Sequence, residues 1–138
     1  MQLIGVGSVR KQNSVSTATV SASISDAETF KMSCAFREPD LARTPLGDLF
    51  PEEGVRAACL SGAAYARRHL RLGMINIEVT QAEGTCAESE SEGFAIATIV
   101  AIAAAMGRHA DIPSEAFGEW EVIADDATLG GPTLGGPT

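Results

Sequence analysis

The chain of 138 residues has few aromatic side chains and very little lysine. Phe, Trp and Tyr together make up 5% of it, and Lys11 and Lys31 are its only lysines. A core must therefore be built from aliphatic side chains, and lysine-dependent chemistry has few candidates. Ten basic residues stand against 18 acidic ones, which gives a net charge of −8. Because nucleic-acid binding needs concentrated positive charge, this balance disfavours a general nucleic-acid-binding protein, and we expect no DNA partner.

Paired cysteines and long apolar runs are also missing from the sequence. Cys34, Cys59 and Cys86 are an odd number without CxxC spacing, which favours reduced thiols in the cytoplasm over a disulfide framework. The longest uncharged run covers residues 93–107. It is too short to cross a bilayer, for which a helix needs about 20 apolar residues. The first residues have no basic or apolar region typical of a signal peptide. We therefore predict a cytoplasmic protein with no membrane partner.

The strongest pattern in the chain is a strand between residues 17 and 25. Ala18, Val20, Ala22 and Ile24 alternate with hydroxyl side chains, which is typical of a half-buried strand with one face open to solvent. Residues 2–10 are β-prone, and a similar alternation places Phe30, Met32, Cys34 and Phe36 on a third strand. Short polar turns separate these segments, so we expect an antiparallel meander.

Two helices and a fourth strand follow. A first helix is predicted from Pro51 to Leu70, ended by Gly73, with an apolar face of Val55, Cys59, Gly62, Ala63 and Ala66. The fourth strand covers residues 74–80. Ser89 and Glu92 have capping-box spacing, so a second helix should begin there. This helix is apolar on every side, so its outer side needs the C-terminal segment, the first helix or another subunit as cover.

The predicted order is βββαβα, an α+β fold of two layers. Residues 1–124 form a single domain in this interpretation, with a short strand or docking segment near Trp120–Ile123. Residues 125–138 contain Leu-Gly-Gly-Pro-Thr twice, and this density of glycine and proline predicts a flexible tail.

Part of the chain resembles a known family. Ile77-Glu78-Val79-Thr80, Gly84, Ser89 to Glu92, Phe94-Ala95-Ile96-Ala97 and Ala103 are similar to the last strand and helix of domain IV of the translocation elongation factors. The preceding helix, with Pro51, Val55, Ala58 and Gly62, is similar as well. The resemblance covers about residues 50–107 and implies the ribosomal protein S5 domain 2-like fold. It extends to structural motifs and includes no GTPase region, because Gly5-Val6-Gly7 lacks the Gly-Lys-Ser/Thr of a phosphate loop.

A basic group at the end of the first predicted helix is a candidate contact for an anion or for RNA. It consists of Arg67, Arg68 and Arg71, with His69 between them and Arg56 on the same helix. The resemblance implies a ribosome or RNA contact, and this group is our candidate for it. A plainer interpretation is that cations stabilise a helix C-terminus, by roughly 0.3–1 kcal/mol each. The acidic loop at residues 81–88 argues against an RNA contact.

Catalytic candidates are weak in this sequence. Cys86 lies in a predicted loop, His69 and His109 are the two candidate bases for its thiol, and Glu83 is the third residue of the candidate site. Glu83 and Glu88 lie within three residues of Cys86 in the sequence, and their negative charges oppose thiolate formation. The acidic residues Glu83, Glu88, Glu90 and Glu92 lack the spacing of a cation loop, so we expect neither a metal nor a cofactor.

Three hypotheses follow, in order of preference. The first is a non-catalytic S5 domain 2-like binding or assembly module that forms a homo-oligomer. The second is a translation-associated factor that contacts RNA or the ribosome through the arginines. The third is a small enzyme with a site at a subunit boundary, for which Cys86, His69 and Glu83 are the candidates.

Overall fold

The structure is a computed structural model that describes residues 2–12, 14–33, 52–84, 92–108 and 111–129. These residues form an α+β fold, as predicted. In chain order the elements are strands β1 (Leu3–Lys11), β2 (Ser14–Ile24) and β3 (Thr29–Met32), helix α1 (Glu52–Leu70), strand β4 (Ile75–Gly84), helix α2 (Glu92–Ala105), a short 3₁₀ helix (Ser114–Phe117) and strand β5 (Glu121–Leu129).

The first two strands form the predicted antiparallel hairpin. Their register runs from Leu3 opposite Ala22 to Lys11 opposite Ser14. Gln12, in the turn, has a left-handed φ of 55°, which a tight two-residue hairpin turn requires. The closed face of β2, which is the side toward the helices, carries Ala18, Val20 and Ala22, each fully buried.

The predicted meander is wrong at its third strand. The sheet order is β3-β4-β2-β1-β5, so β4 lies between β2 and β3. β4 is antiparallel to β2 and parallel to β3. Parallel neighbours need a long crossover, and α1 lies between these two strands in the chain. Cys34 and Phe36, which the alternation placed on the third strand, lie outside the described residues.

Burial explains why β4 takes the inner position. Its closed face carries Ile75, Ile77 and Val79, all at most 3% exposed. Phe30 and Met32 of β3 pack only partly against the same core. A short strand with partly exposed side chains suits a sheet edge, whereas a ten-residue strand with an apolar closed face gains more from two neighbours.

The close approach of α2 to the sheet depends on glycine. A Cβ on Gly5 would lie 1.9 Å from the carbonyl oxygen of Ala101, and a Cβ on Gly7 would lie 2.4 Å from that of Ala97. Because both obstacles are backbone atoms, no side-chain rotation relieves the clash. Small residues therefore let a chain with few aromatics pack tightly.

The outer side of α2 is covered by the same chain. α1 packs along it, and Val55, Cys59, Ala63 and Ala66 form the buried face of α1, as predicted. Ile112, Phe117 and Trp120, from the segment after α2, contact the two core clusters to which α2 contributes. The apolar character of α2 therefore gives no argument for a covering subunit.

Helix α1 ends at Leu70, but Gly73 is not the residue that ends it. Arg71 has a left-handed φ of 56°, and the N–H of Leu72 donates to the carbonyl oxygen of Arg67 at 3.0 Å. This is the Schellman arrangement, in which the left-handed position is usually glycine. Gly73, with φ of 74°, comes two residues later and bends the chain toward β4.

Strand β5 is longer than the predicted segment near Trp120. It pairs with β1 from Glu121 opposite Arg10 to Leu129 opposite Leu3. The predicted boundary between domain and tail, at residues 124 and 125, thus falls inside this strand. Residues 130–138 of the predicted tail lie outside the described residues.

Candidate binding surfaces

The open face of the sheet, which is the side away from both helices, is rich in hydroxyl groups. On β2 it carries Val15, Thr17, Thr19, Ser21 and Ser23, all partly exposed. Ser8 of β1 lies on this face opposite Thr17, and their hydroxyl oxygens are 2.8 Å apart. No helix or strand in the described part of the chain covers this face, in agreement with the alternation in the sequence.

A pocket of about 360 Å³ lies on the open face where β2, β4 and β3 adjoin. Strand register arranges its side chains in two rows. Lys31, Glu78 and Ser21 are neighbours in one row, across three strands. The second row consists of Thr29, Asn76 and Ser23. Gln2 and Ile77 complete the lining.

The two rows differ in how their polar groups are used. In the second row the Thr29 hydroxyl donates to the Asn76 side-chain oxygen. In the first row Lys31 and Glu78 are direct cross-strand neighbours. Within the described residues, neither of their charged groups has an ion-pair or hydrogen-bond partner. We call the pocket lined by these two rows the cross-strand pocket. It therefore presents one cation and one anion side by side.

Arg67, the first residue of the predicted basic group, has partners inside the protein. Its Nη2 donates to the carbonyl oxygens of Thr29 at 2.8 Å and Ile75 at 3.2 Å. Its Nε lies 3.8 Å from Glu28 Oε2, and its side chain is only 12% exposed. Arg67 thereby joins α1 to the ends of β3 and β4.

The other members of the basic group are exposed. The guanidinium of Arg68 lies 5.9 Å from the ring centre of Tyr65, and the His69 ring stacks on the same tyrosine at 5.3 Å. Arg71 occupies the exposed left-handed position after α1. Arg56 lies about three turns before Arg67 on the same side of the helix, beside Phe30 and Leu60.

The weak catalytic candidates do not form a described constellation. His69 lies in the last turn of α1, close to where β4 begins. Glu83 lies near the other end of β4, on the open face opposite Thr17, and accepts a hydrogen bond from Gln81 Nε2 at 3.0 Å. Glu83 is eight residues after Ile75, the first residue of β4, which is a distance of about 26 Å along the strand. Cys86, Glu88, Glu90 and His109 lie outside the described residues.

The described residues contain neither a metal-binding cluster nor a membrane-spanning helix. No group of three or more His, Cys, Asp or Glu in the described ranges is placed to hold a metal ion. Among the described helices, none has the length and apolar character needed to span a membrane.

A second surface lies at the end of the sheet where β2 finishes and β4 begins. The closed-face row of β2 continues beyond the reach of α2 to Ile24, which is 91% exposed. Met74, 57% exposed, lies at the same end of the sheet, one pair beyond Ile24 and Ile75, where the N–H of Ser25 donates to its carbonyl oxygen at 3.2 Å. Leu3 of β1 lies diagonally from Ile24 on the same side. We call these three residues the apolar end.

Sequence reasoning missed both surfaces as sites. The hydroxyl alternation in β2 predicted an exposed polar face, but nothing local joins it to Lys31 or to Glu78. The only signal for Lys31 in the sequence was that it is one of two lysines, so few other residues could serve as a lysine contact. For the apolar end, the signal was Ile24, because it continues an apolar row up to the turn at Asp26.

Comparison with known proteins gives no neighbour for this arrangement. No protein-family model matches the chain, and searches of curated proteins and of solved structures found no similar chain.

Proposed function

We propose that the protein is a non-catalytic binding and assembly module of the S5 domain 2-like type that works as a homo-oligomer. The fold part of this proposal is supported by the element order βββαβα up to α2, with both helices on one side of the sheet. The strand β5 is an addition at the free edge of β1. The assembly part is supported by the apolar end.

The observation that carries the assembly proposal is the exposure of Ile24. Ile24, 91% exposed, and Met74, 57% exposed, place two large apolar side chains at one end of the sheet, and grouped apolar side chains on a surface mark protein contact sites. Burying each of these side chains against a second copy stabilises the contact by about 1.5–3 kcal/mol. In a twofold interface both residues count twice, since the same patch occurs on each subunit.

The energy gained by burying these side chains is of the same size as the cost of bringing two subunits together. Four buried side chains give about 6–12 kcal/mol, while association costs about 4–15 kcal/mol of lost freedom. In the proposed assembly the apolar end forms only the centre of the interface, and neighbouring surface must enlarge it to the roughly 1,200 Å² of a stable complex.

The test is the mass of the protein in solution at micromolar concentration, measured by light scattering. We expect a multiple of the 14.3 kDa chain mass for the wild type, and a decrease toward 14.3 kDa when Ile24→Ser and Met74→Ser are combined. Leu60→Ser is the matched control, because Leu60 is 46% exposed on α1 and lies outside the apolar end. A monomeric wild type contradicts the assembly, and an unchanged mass of the double variant contradicts this interface.

The RNA-contacting alternative has less support. Arg67 is engaged by backbone carbonyl oxygens and Glu28, which leaves Arg68, Arg71 and Arg56 as exposed cations. These three stand within a chain of net charge −8. Any test of RNA binding should spare Arg67, because its loss removes contacts between α1, β3 and β4.

A further inference from the structure

We propose that the cross-strand pocket binds a small polar α-amino acid, with Lys31 on its carboxylate and Glu78 on its ammonium group. The two side chains are direct neighbours in the parallel register of β3 and β4. In an α-amino acid the carboxylate and the ammonium group are bonded to the same carbon atom. A ligand of this kind therefore lays each charge against the opposite charge of the pocket at the same time.

The two charges of the pocket have no partners among the described residues. Lys31 and Glu78 lie on adjacent strands, about 4.8 Å apart in the sheet, yet within the described residues neither group is paired. A ligand that offers both a carboxylate and an ammonium group gives each of them a charge-assisted hydrogen bond, which is stronger than a neutral one.

The other lining groups suit the same ligand. Ser21 and Ser23 carry hydroxyl groups that donate or accept hydrogen bonds, and the side-chain amide of Asn76 both donates and accepts them. They border the charged pair on the β2 side and along β4. The volume of about 360 Å³ lies at the small end of ligand sites, and the polar lining favours a ligand with a short or polar side chain.

Other small ligands fit less well. A phosphate or a simple carboxylate gains Lys31 but is repelled by Glu78. A divalent cation wants several oxygen ligands, whereas the pocket lining offers one carboxylate beside a lysine. Quaternary ammonium groups are held by aromatic rings, and no aromatic residue lines this pocket in the described part of the chain. A neutral sugar leaves both charges without a counter-charge.

The test uses L-serine and two relatives that each lack one charge. 3-Hydroxypropionate lacks the ammonium group, and ethanolamine lacks the carboxylate. Backbone amide signals of the full chain are followed by nitrogen–proton correlation spectra during titration. We expect L-serine to shift the signals of residues 21–23, 29–31 and 76–78 saturably. Each relative should bind about ten- to a hundredfold more weakly, which is the effect of losing one charged hydrogen bond.

Variants assign the two roles. Lys31→Gln should weaken L-serine binding and remove its advantage over ethanolamine, while Glu78→Gln should remove its advantage over 3-hydroxypropionate. Arg10→Gln and Glu115→Gln are the matched controls, since they remove the same charges at exposed positions outside the pocket. Both controls should bind L-serine as the wild type does.

A charge exchange separates recognition from a general loss of stability. The double variant Lys31→Glu with Glu78→Lys keeps both charges in reversed order, so a zwitterion still binds after turning round. The single variant Lys31→Glu, with two adjacent carboxylates, should not bind it. Absence of shifts around the pocket with all three compounds overturns the proposal. Equal binding of 3-hydroxypropionate and L-serine to the wild type overturns it too, because that marks a simple anion site.

Discussion

The eleven residues of strand β2 alternate between two faces, which differ in burial and in polarity. On the closed face, Ala18, Val20 and Ala22 are completely buried under the helices. On the open face, Thr17, Thr19 and Ser21 are partly exposed. The difference in side-chain size and polarity between neighbouring positions follows from what lies above each face. The helices pack against the closed face and limit the size of its side chains. No described helix or strand packs against the open face.

The closed face shows how a core is formed with few aromatic residues. Gly5 and Gly7 of β1 oppose Ala101 and Ala97 of α2, so sheet and helix backbones come close together. Many short contacts then replace the large contact area that an aromatic side chain supplies. The open face needs no such fit, and there the chain places charged and hydroxyl groups that are available to a ligand.

The largest expected effect comes from adding one methyl group to the closed face. Gly5→Ala puts a Cβ 1.9 Å from the Ala101 carbonyl oxygen, and we expect a loss of about 3 kcal/mol or more in the free energy of unfolding. Gly54→Ala is the matched control, because nothing lies within 4 Å of its added Cβ. In α1 this change should stabilise by about 0.5 kcal/mol. Urea unfolding followed by circular dichroism measures both, and a near-neutral Gly5→Ala contradicts the close approach.

A smaller effect is expected from exchanging a methyl and a hydroxyl group on neighbouring residues of β2. Val20→Thr buries a hydroxyl in the fully buried closed face and should destabilise by about 1–3 kcal/mol. Thr19→Val, on the open face, should change the free energy of unfolding by about 0.5 kcal/mol or less. Equal losses in the two variants, measured by urea unfolding, contradict the assignment of the faces.

Local patterns in the sequence predict the elements well. The alternation in β2 and the spacing of Val55, Cys59 and Ala66 in α1 depend on neighbours within a few residues, and both predictions are confirmed. The order of strands in the sheet is decided by distant pairing. β4 displaces β3 from β2 because its buried face is larger, and neither strand carries a local sign of that competition.

The candidate site is harder to predict for the same reason. Residues 21–23, 29–31 and 76–78 come together only when β4 lies between β2 and β3. Arg67 illustrates the opposite error. Its position among three other basic residues suggests a ligand contact, but its partners are carbonyl oxygens on Thr29 and Ile75, which leave no mark in the sequence.

The smallest and sharpest comparison uses one substitution on both faces. Ser16 on the closed face is fully buried, and its Oγ has no hydrogen-bond partner among the described residues. Ser8 on the open face, 8% exposed, shares a hydrogen bond of 2.8 Å with Thr17. Ser16→Ala removes an unsatisfied buried hydroxyl and should stabilise by about 1 kcal/mol, whereas Ser8→Ala leaves Thr17 without its partner and should destabilise by about 1 kcal/mol. Urea unfolding of both variants measures the two signs. If both changes destabilise the protein, the Ser16 hydroxyl has a partner in solution, and hydroxyl groups then follow the same rule on both faces.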